Sequence, residues 1–223
     1  GATIIIDGGD EPERRISWID DWEGLGPDDS NGPVSHNQSE QDGLPKRHLV
    51  AYTNTHAHFD HDAAGRLPEG ASLLRSPGQF QVEDMSVKGI VDVHSGGSGL
   101  RGMKNVMFLL ETGGLRFLHI GDNRADWPEE VNQAVGKVDV LLVTVDDTCH
   151  LLTYAEVDSV IERVNPRIVI PMHYRIPSLM PESCGLKPPD QWLATQSSVK
   201  QLKGHSAALS REELPSSAQV WVF

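Results

Sequence analysis

Thr53-Asn54-Thr55-His56-Ala57-His58-Phe59-Asp60-His61-Asp62 is the stretch around which the rest of the chain is organised. From Thr55 it reads T-H-A-H-F-D-H-D and sets His56, His58, Asp60 and His61 within six positions. Each of these side chains can donate a lone pair to a divalent cation, and clustered His and Asp read first as a metal site. In extended backbone, residues two apart project to the same side, so His56 and His58 can grip one ion while His61 points elsewhere. That geometry suits two metals better than one. The bland alternative is a polar surface turn that happens to hold three histidines. Four potential ligands packed this densely behind the apolar run L-V-A-Y, residues 49–52, argue against it.

The stretch resembles the HxHxDH signature of the metallo-β-lactamase superfamily. The resemblance implies more ligands downstream: a lone His, an Asp after a Gly, and a final His at a strand end. His94 in V-D-V-H-S-G, Asp122 in H-I-G-D-N and His173 in I-P-M-H-Y occur in that order. The implied fold is α/β, a four-layer αβ/βα sandwich. The implied first metal is held by His56, His58 and His94, and the second by Asp60, His61 and His173, with Asp122 bridging both. Asp60 and Asp122 are then catalytic as well as ligating. Imidazole and carboxylate without thiolate suit Zn²⁺, two per chain, although Mn²⁺ or Fe²⁺ accepts the same set. A hydroxide held between the ions is the implied nucleophile, because a catalytic zinc lowers the pKa of bound water to about 7.

Length and charge narrow the classes. A chain of 223 residues sits at the upper end of one domain's size, so one domain over residues 1–223 is expected. Nineteen Lys and Arg against 32 Asp and Glu leave a net charge of −13, which disfavours extended nucleic-acid binding and leaves a small-molecule substrate as the expected partner. Homo-oligomerisation stays open. No apolar run approaches the ~20 residues of a membrane span. Cys149 and Cys184 are too few for a disulfide scaffold, and one bridge or two free thiols both fit. The opening G-A-T-I-I-I-D reads as a strand already in progress, so the start may lie upstream; a cytoplasmic location is weakly favoured.

Along the chain, residues 2–7 read as a strand ending in the turn signal Asp7-Gly8-Gly9. Residues 11–47 are acidic and turn-rich and read as one long loop, with Trp18 and Trp22 either walling the site or pinning the loop. In the resembled family an opening hairpin precedes such a strand; this chain does not show it, so either the hairpin is lost or the chain was cut. Strands are expected at residues 48–54, 71–74, 90–93, 106–110 and 115–120, the last two joined by the hairpin signal Thr112-Gly113-Gly114. Asp126 reads as the cap of a helix with Pro128 in its first turn. Residues 138–145 read as a fully buried strand, and Thr153 with Glu156 as a capping box opening a helix with Val157, Val160, Ile161 and Val164 on one face. A strand over residues 167–170 should stop at Pro171 and present His173. A short helix after Asp190 and a strand over residues 219–222 close the chain.

His150, between a buried strand and a capped helix, suits a proton donor or substrate contact, or else a helix-entry residue bonded to backbone. His119 reads as structural, and His36, His48 and His205 as surface residues. Asp146 and Asp147 could support a ligating imidazole; Tyr174 and Arg124, next to ligands, could touch substrate. The segment I-P-M-H-Y and its spacing to His94 resemble most the superfamily branch containing ascorbate-6-phosphate lactonase and an N-acyl-phosphatidylethanolamine phospholipase D. Metal-dependent hydrolysis of a small ester, lactone or phosphoester is therefore the favoured expectation, and a metallo-β-lactamase the nearest enzymatic rival. A non-catalytic metal-binding or redox module is the alternative of another class. Flavodiiron proteins, which share the implied fold, resemble a pattern with Glu where His58 stands, and need a flavin domain.

Overall fold

A computed structural model describes residues 3–7, 14–19, 51–56, 72–96, 102–148, 151–178, 180, 182–204 and 206–223. Strands β1 (Thr3–Asp7) and β2 (Arg14–Ile19) pair antiparallel from Thr3↔Ile19 to Asp7↔Arg15. This corrects one expectation: residues 11–47 are not one loop, because Arg14–Ile19 form a strand. The family's opening hairpin, which would precede residues 2–7, lies outside the described residues. The segment R-R-I-S-W-I carries β-branched and aromatic residues suited to a strand, but its acidic flanks hid them. Trp18 pairs with Ile4 in this ladder, and Trp22 lies outside the described residues.

Next come β3 (Ala51–Thr53), β4 (Ser72–Leu74), β5 (Gly78–Val82), β6 (Met85–Val93), β7 (Lys104–Thr112) and β8 (Leu115–His119). They are followed by α1 (Glu129–Val135), β9 (Val140–Thr144), α2 (Tyr154–Val164), β10 (Ile168–Met172) and α3 (Asp190–Leu193). The chain closes with β11 (Val199–Gln201), β12 (Ser206–Leu209) and β13 (Gln219–Val222). Eight strands form one sheet in the order β11-β13-β10-β9-β8-β7-β6-β5, while β1-β2-β12 and β3-β4 form smaller sheets. The meander β5 to β8 is antiparallel, and β8, β9, β10, β13 and β11 run parallel.

Alternation along the strands explains the layers. Met107, Leu109, Leu118, Leu141 and Val143 face one way, into a core with Val131 and Val135 of α1 and Val157, Val160 and Val164 of α2. Phe117, Val140, Leu142, Ile168 and Ile170 face the other way, against Leu209 of β12, and Val106 and Phe108 meet Leu74 of β4. A sheet covered on both faces needs strands apolar on both sides, hence the uninterrupted burial of β9. Helices, large sheet and smaller sheets make the α/β sandwich expected. Among the described residues, no helix is long and apolar enough to cross a membrane.

Local signals explain most elements. Gly113 and Gly114, at φ 57° and 72°, make the two-residue turn between β7 and β8. Thr153 and Glu156 form the capping box of α2. The expected Asp126 cap is corrected: Pro128 is the N-cap of α1 and no side chain caps it, while Asp126 lies 4.0 Å from Arg124 and is exposed. Proline's fixed φ starts the helix two residues beyond the reach of Asp126. The strand before His173 also runs through Pro171 to Met172 rather than stopping. Proline is tolerated because β13 covers only Ile168 and Val169, leaving that side of β10 open at Pro171. The hairpin of β5 with β6 escaped the sequence reading. Cys184 is a free, exposed thiol; Cys149 lies outside the described residues.

Candidate metal centre

Three strand ends converge on His56, His94 and Asp122. His56 follows β3, whose exit is stitched on both sides: Asn54 N–H donates to the Leu74 carbonyl at 2.9 Å, and Val106 N–H to the Thr55 carbonyl at 2.8 Å. His94 directly follows β6 and forms an isolated bridge with Asn123. Asp122 lies in the turn after β8, where Ser95 N–H donates to its carbonyl at 2.7 Å. Gly121 makes the approach possible. Its φ is +58°, and a Cβ there would stand 2.7 Å from Cβ, Cγ2 and Oγ1 of Thr55.

One potential ligand atom from each of the three residues lies within 4.8 Å of the others, and all three residues are buried. Nε2 of His56 is 3.4 Å and Nε2 of His94 is 3.3 Å from Oδ2 of Asp122. The imidazole rings meet edge to face, with centroids 4.9 Å apart. The Nδ1 atoms face away: His56 Nδ1 is 3.0 Å from Thr55 Oγ1, and His94 Nδ1 meets the Ser95 carbonyl. A carbonyl oxygen only accepts, so Nδ1 of His94 carries the proton and, in the neutral ring, Nε2 turns a lone pair on a carboxylate. Two lone pairs pointed at each other in a buried site call for a cation between them. Ligands 2.0–2.2 Å from a tetrahedral zinc stand roughly 3.3–3.6 Å apart, which the two measured separations match. The residues therefore fit a divalent cation. Charge points the same way. Burial alone would lower the pKa of His94, but the Asp122 carboxylate and the Ser95 carbonyl outweigh it, and the net shift is upward.

A buried polar network steadies the turn that carries Asp122. Asn105 Nδ2 donates to the Ile120 carbonyl and to Asn123 Oδ1, both at 2.9 Å. Asn123 Nδ2 donates to Asp92 Oδ2 at 2.8 Å, and Arg124 grips both oxygens of Asp92, at 3.1 and 2.8 Å. Arg124 is thus held by Asp92, with its side chain one-third exposed. The sequence reading missed Thr55, Ser95, Asn105 and Asn123. Adjacency to a ligand could have flagged all but Asn105.

The other expected ligands stand as follows. His58, Asp60 and His61 lie outside the described residues, as do His150, His36, His48 and His205. His173 ends β10 in the left-handed region, at φ 55°, and its Nδ1 is 3.8 Å from Asp146 Oδ2. It is not a member of the His56, His94, Asp122 group. Asp146 accepts from Thr148 N–H and Oγ1, so of the two expected supporting carboxylates it is the one that faces an imidazole. Asp147 instead accepts from Tyr154 N–H at 3.2 Å and Lys187 Nζ at 2.9 Å, at the entry to α2. Its expected role beside an imidazole is corrected accordingly. Tyr174 packs against the core on the β12 side of the sheet, and His119 is half-buried on β8.

The family described as Beta-lactamase superfamily domain matches residues 12–173. Among solved structures, a Thermotoga maritima protein assigned to the zinc-dependent hydrolases of the metallo-β-lactamase superfamily is 26% identical, with a TM-score of 0.60 over 78% of this chain and 80% of that one. Igni18, a metallo hydrolase from Ignicoccus hospitalis, is 15% identical, with a TM-score of 0.52 over 93% and 98%. CmlA, a diiron β-hydroxylase from Streptomyces venezuelae, is 12% identical, with a TM-score of 0.54 over 93% and 54%. The last two likenesses are of fold alone. A search of curated proteins gave no match.

Proposed function

The chain belongs to the β-lactamase superfamily, and from that premise we propose that it is a metal-dependent hydrolase of a small ester, lactone or phosphoester. The observation that carries the reading is the Nε2 pair of His56 and His94 aimed at one oxygen of buried Asp122, at tetrahedral edge lengths. In this reading His58 completes the first metal position; Asp60, His61 and His173 hold a second cation; and Asp122 is shared. Bound there, the metal supplies Lewis acidity and makes hydroxide available near pH 7. The chain's own residues do the rest. The Ser95 carbonyl fixes the tautomer of His94 through Nδ1, so that in the neutral ring Nε2 presents a lone pair, and Thr55 Oγ1 orients the His56 ring through its Nδ1. Asp122 neutralises positive charge and sets where the ligands meet. The bond from acyl or phosphoryl centre to leaving oxygen breaks as water adds, and His150 is the proposed donor of the proton that the leaving oxygen takes.

The test is metal analysis for zinc, manganese and iron, with a panel of chromogenic esters, lactones and phosphodiesters and a cephalosporin. Turnover on the ester, lactone or phosphodiester arms is expected, abolished by chelation. Asp122→Ala should remove bound metal and reduce turnover by more than the roughly 10–100-fold that losing a ligand's hydrogen-bond partner costs. Turnover indifferent to chelation and to Asp122→Ala would refute the reading. Turnover confined to the cephalosporin would make the chain a β-lactamase.

A further inference from the structure

Ser95 is bonded to both sides of the candidate metal centre and to a third part of the fold. Its N–H donates to the Asp122 carbonyl at 2.7 Å, its carbonyl accepts from His94 Nδ1, and its hydroxyl donates to the Leu151 carbonyl at 3.0 Å. The first two bonds hold candidate ligands. The third reaches 56 residues along the chain, to the segment between β9 and α2.

Strand pairing gives out just before Ser95. β6 ends at Val93, His94 makes an isolated bridge to Asn123, and Gly96 turns the chain at φ 92°. Past the end of a ladder, a residue is set by whatever bonds its own groups make. With N–H and Oγ both held, rotation about the N–Cα bond of Ser95 is stopped, and that rotation would swing the carbonyl that His94 Nδ1 meets.

The far end of the hydroxyl bond is firm. Leu151 is buried, and its N–H donates to the Thr148 carbonyl at 3.3 Å. Thr148 in turn donates to Asp146, through N–H at 3.3 Å and through Oγ1 at 2.8 Å. Val145 N–H donates to the Met172 carbonyl at 2.8 Å, which fastens the start of this segment to the end of β10. Leu152, fully buried, packs in the core with α2. Ser95 is itself buried, so solvent is a poor substitute for its hydroxyl.

We propose that Ser95 is a positioning residue of the candidate metal centre: its hydroxyl, bonded to the Leu151 carbonyl, holds the backbone that orients His94 and Asp122. The inference rests on the metal-dependent reading and goes beyond it, because it makes metal affinity depend on a hydroxyl bonded away from the ligands. Losing the partner that orients a ligand costs roughly 10–100-fold in metal affinity. Here that partner is a backbone carbonyl, and the hydroxyl that steadies it is the group a substitution can remove.

The test compares native protein with Ser95→Ala, Ser95→Thr and Thr153→Ala. Three quantities are read: zinc affinity by competition with a chromophoric chelator, the visible spectrum of the cobalt-loaded protein, and calorimetric unfolding of the metal-free protein. Ser95→Ala should lose roughly tenfold or more in zinc affinity and shift the cobalt bands, which report ligand geometry. Ser95→Thr, which keeps the hydroxyl, should recover both. Thr153→Ala deletes a hydroxyl bond at the start of α2, and should lower Tm with zinc affinity and cobalt bands unchanged. Native affinity and native bands in Ser95→Ala would overturn the proposal. So would a Ser95→Thr protein with native Tm that binds zinc as weakly as Ser95→Ala, or an equal loss of affinity in Thr153→Ala, which would make the effect one of stability alone. If the threonine methyl overpacks the site and lowers Tm, the contrast of Ser95→Ala with Thr153→Ala decides. A native protein that binds no zinc would overturn this proposal together with the metal reading. Zinc bound as expected, with no turnover of any ester, lactone or phosphodiester, would refute the hydrolase reading alone.

Discussion

Replacing Gly121 by alanine should disrupt the candidate metal centre without altering any of its three candidate ligands. At φ +58°, the added methyl would lie 2.7 Å from three side-chain atoms of Thr55, where carbon contacts need about 3.5–4.0 Å. Neither side can retreat. Thr55 is held by Val106 N–H, and the Asp122 turn by Ser95 N–H and by Asn105 on the Ile120 carbonyl. The left-handed backbone costs an alanine about 1–2 kcal/mol and the overpacking about 1–3 kcal/mol, which together lower Tm by roughly 4–20 °C in a chain of this size. The shift needed, on the order of 1 Å, falls on His56 or Asp122, and a misplacement of that size can cost about 10²-fold in a catalytic site. The assay is calorimetric unfolding with and without zinc, plus zinc affinity by competition with a chromophoric chelator. Gly204→Ala is the control, because Gly204 has φ +81° with nothing within 4 Å of its would-be Cβ; it should pay only the backbone cost and keep zinc affinity. A Gly121→Ala protein with native Tm and native zinc affinity would refute the reasoning.

Thr153→Ala removes the capping box of α2 and should cost about 1 kcal/mol, a fall of roughly 2–4 °C read by calorimetry, with zinc affinity unchanged. The Asp147 carboxyl is held below its ordinary pKa, first by the Lys187 hydrogen bond and then by Tyr154 N–H, against opposing desolvation. Its folded pKa is depressed, so its contribution to stability is present above the ordinary carboxylate pKa of about 4 and is lost as pH falls through the folded value. Lys187→Met should therefore flatten the fall of Tm below about pH 4; an unchanged acid limb would count against the pair.

Elements governed by neighbours in sequence were legible. The Gly113-Gly114 turn, the Thr153 capping box and the buried run of β9 each follow from residues a few positions apart. What escaped depends on distant partners. β2 is a strand because β1 and β12 flank it, which its acidic surroundings concealed. Pro171 could stay in β10 only because β13 stops short of it, a fact no local pattern carries. Of the site, His56, His94 and Asp122 were read from the motif and its resemblance, and the structure draws the three together.

The two buried aspartates beside the turn after β8 show why one is structural and the other fit for a cation. Asp92, 8% exposed, accepts two hydrogen bonds from Arg124 and one from Asn123. A full positive charge answers its own, and Arg124 is held protonated, first by that hydrogen bond. Asp122, 1% exposed, meets Nε2 of two imidazoles whose Nδ1 atoms are already committed to Thr55 and Ser95. Burying a carboxylate favours a positive charge beside it, and the His94 pKa, lowered by burial but raised more by Asp122 and the Ser95 carbonyl, shifts upward accordingly. Asp92 therefore fixes Asn123 and Arg124, and so the turn, while Asp122 within that turn faces the two imidazoles where a cation would be held. A turn pinned by Asn105, Asn123 and Arg124 resists bringing Asp122 closer to either imidazole, and so holds the carboxylate at the separations that a tetrahedral cation requires.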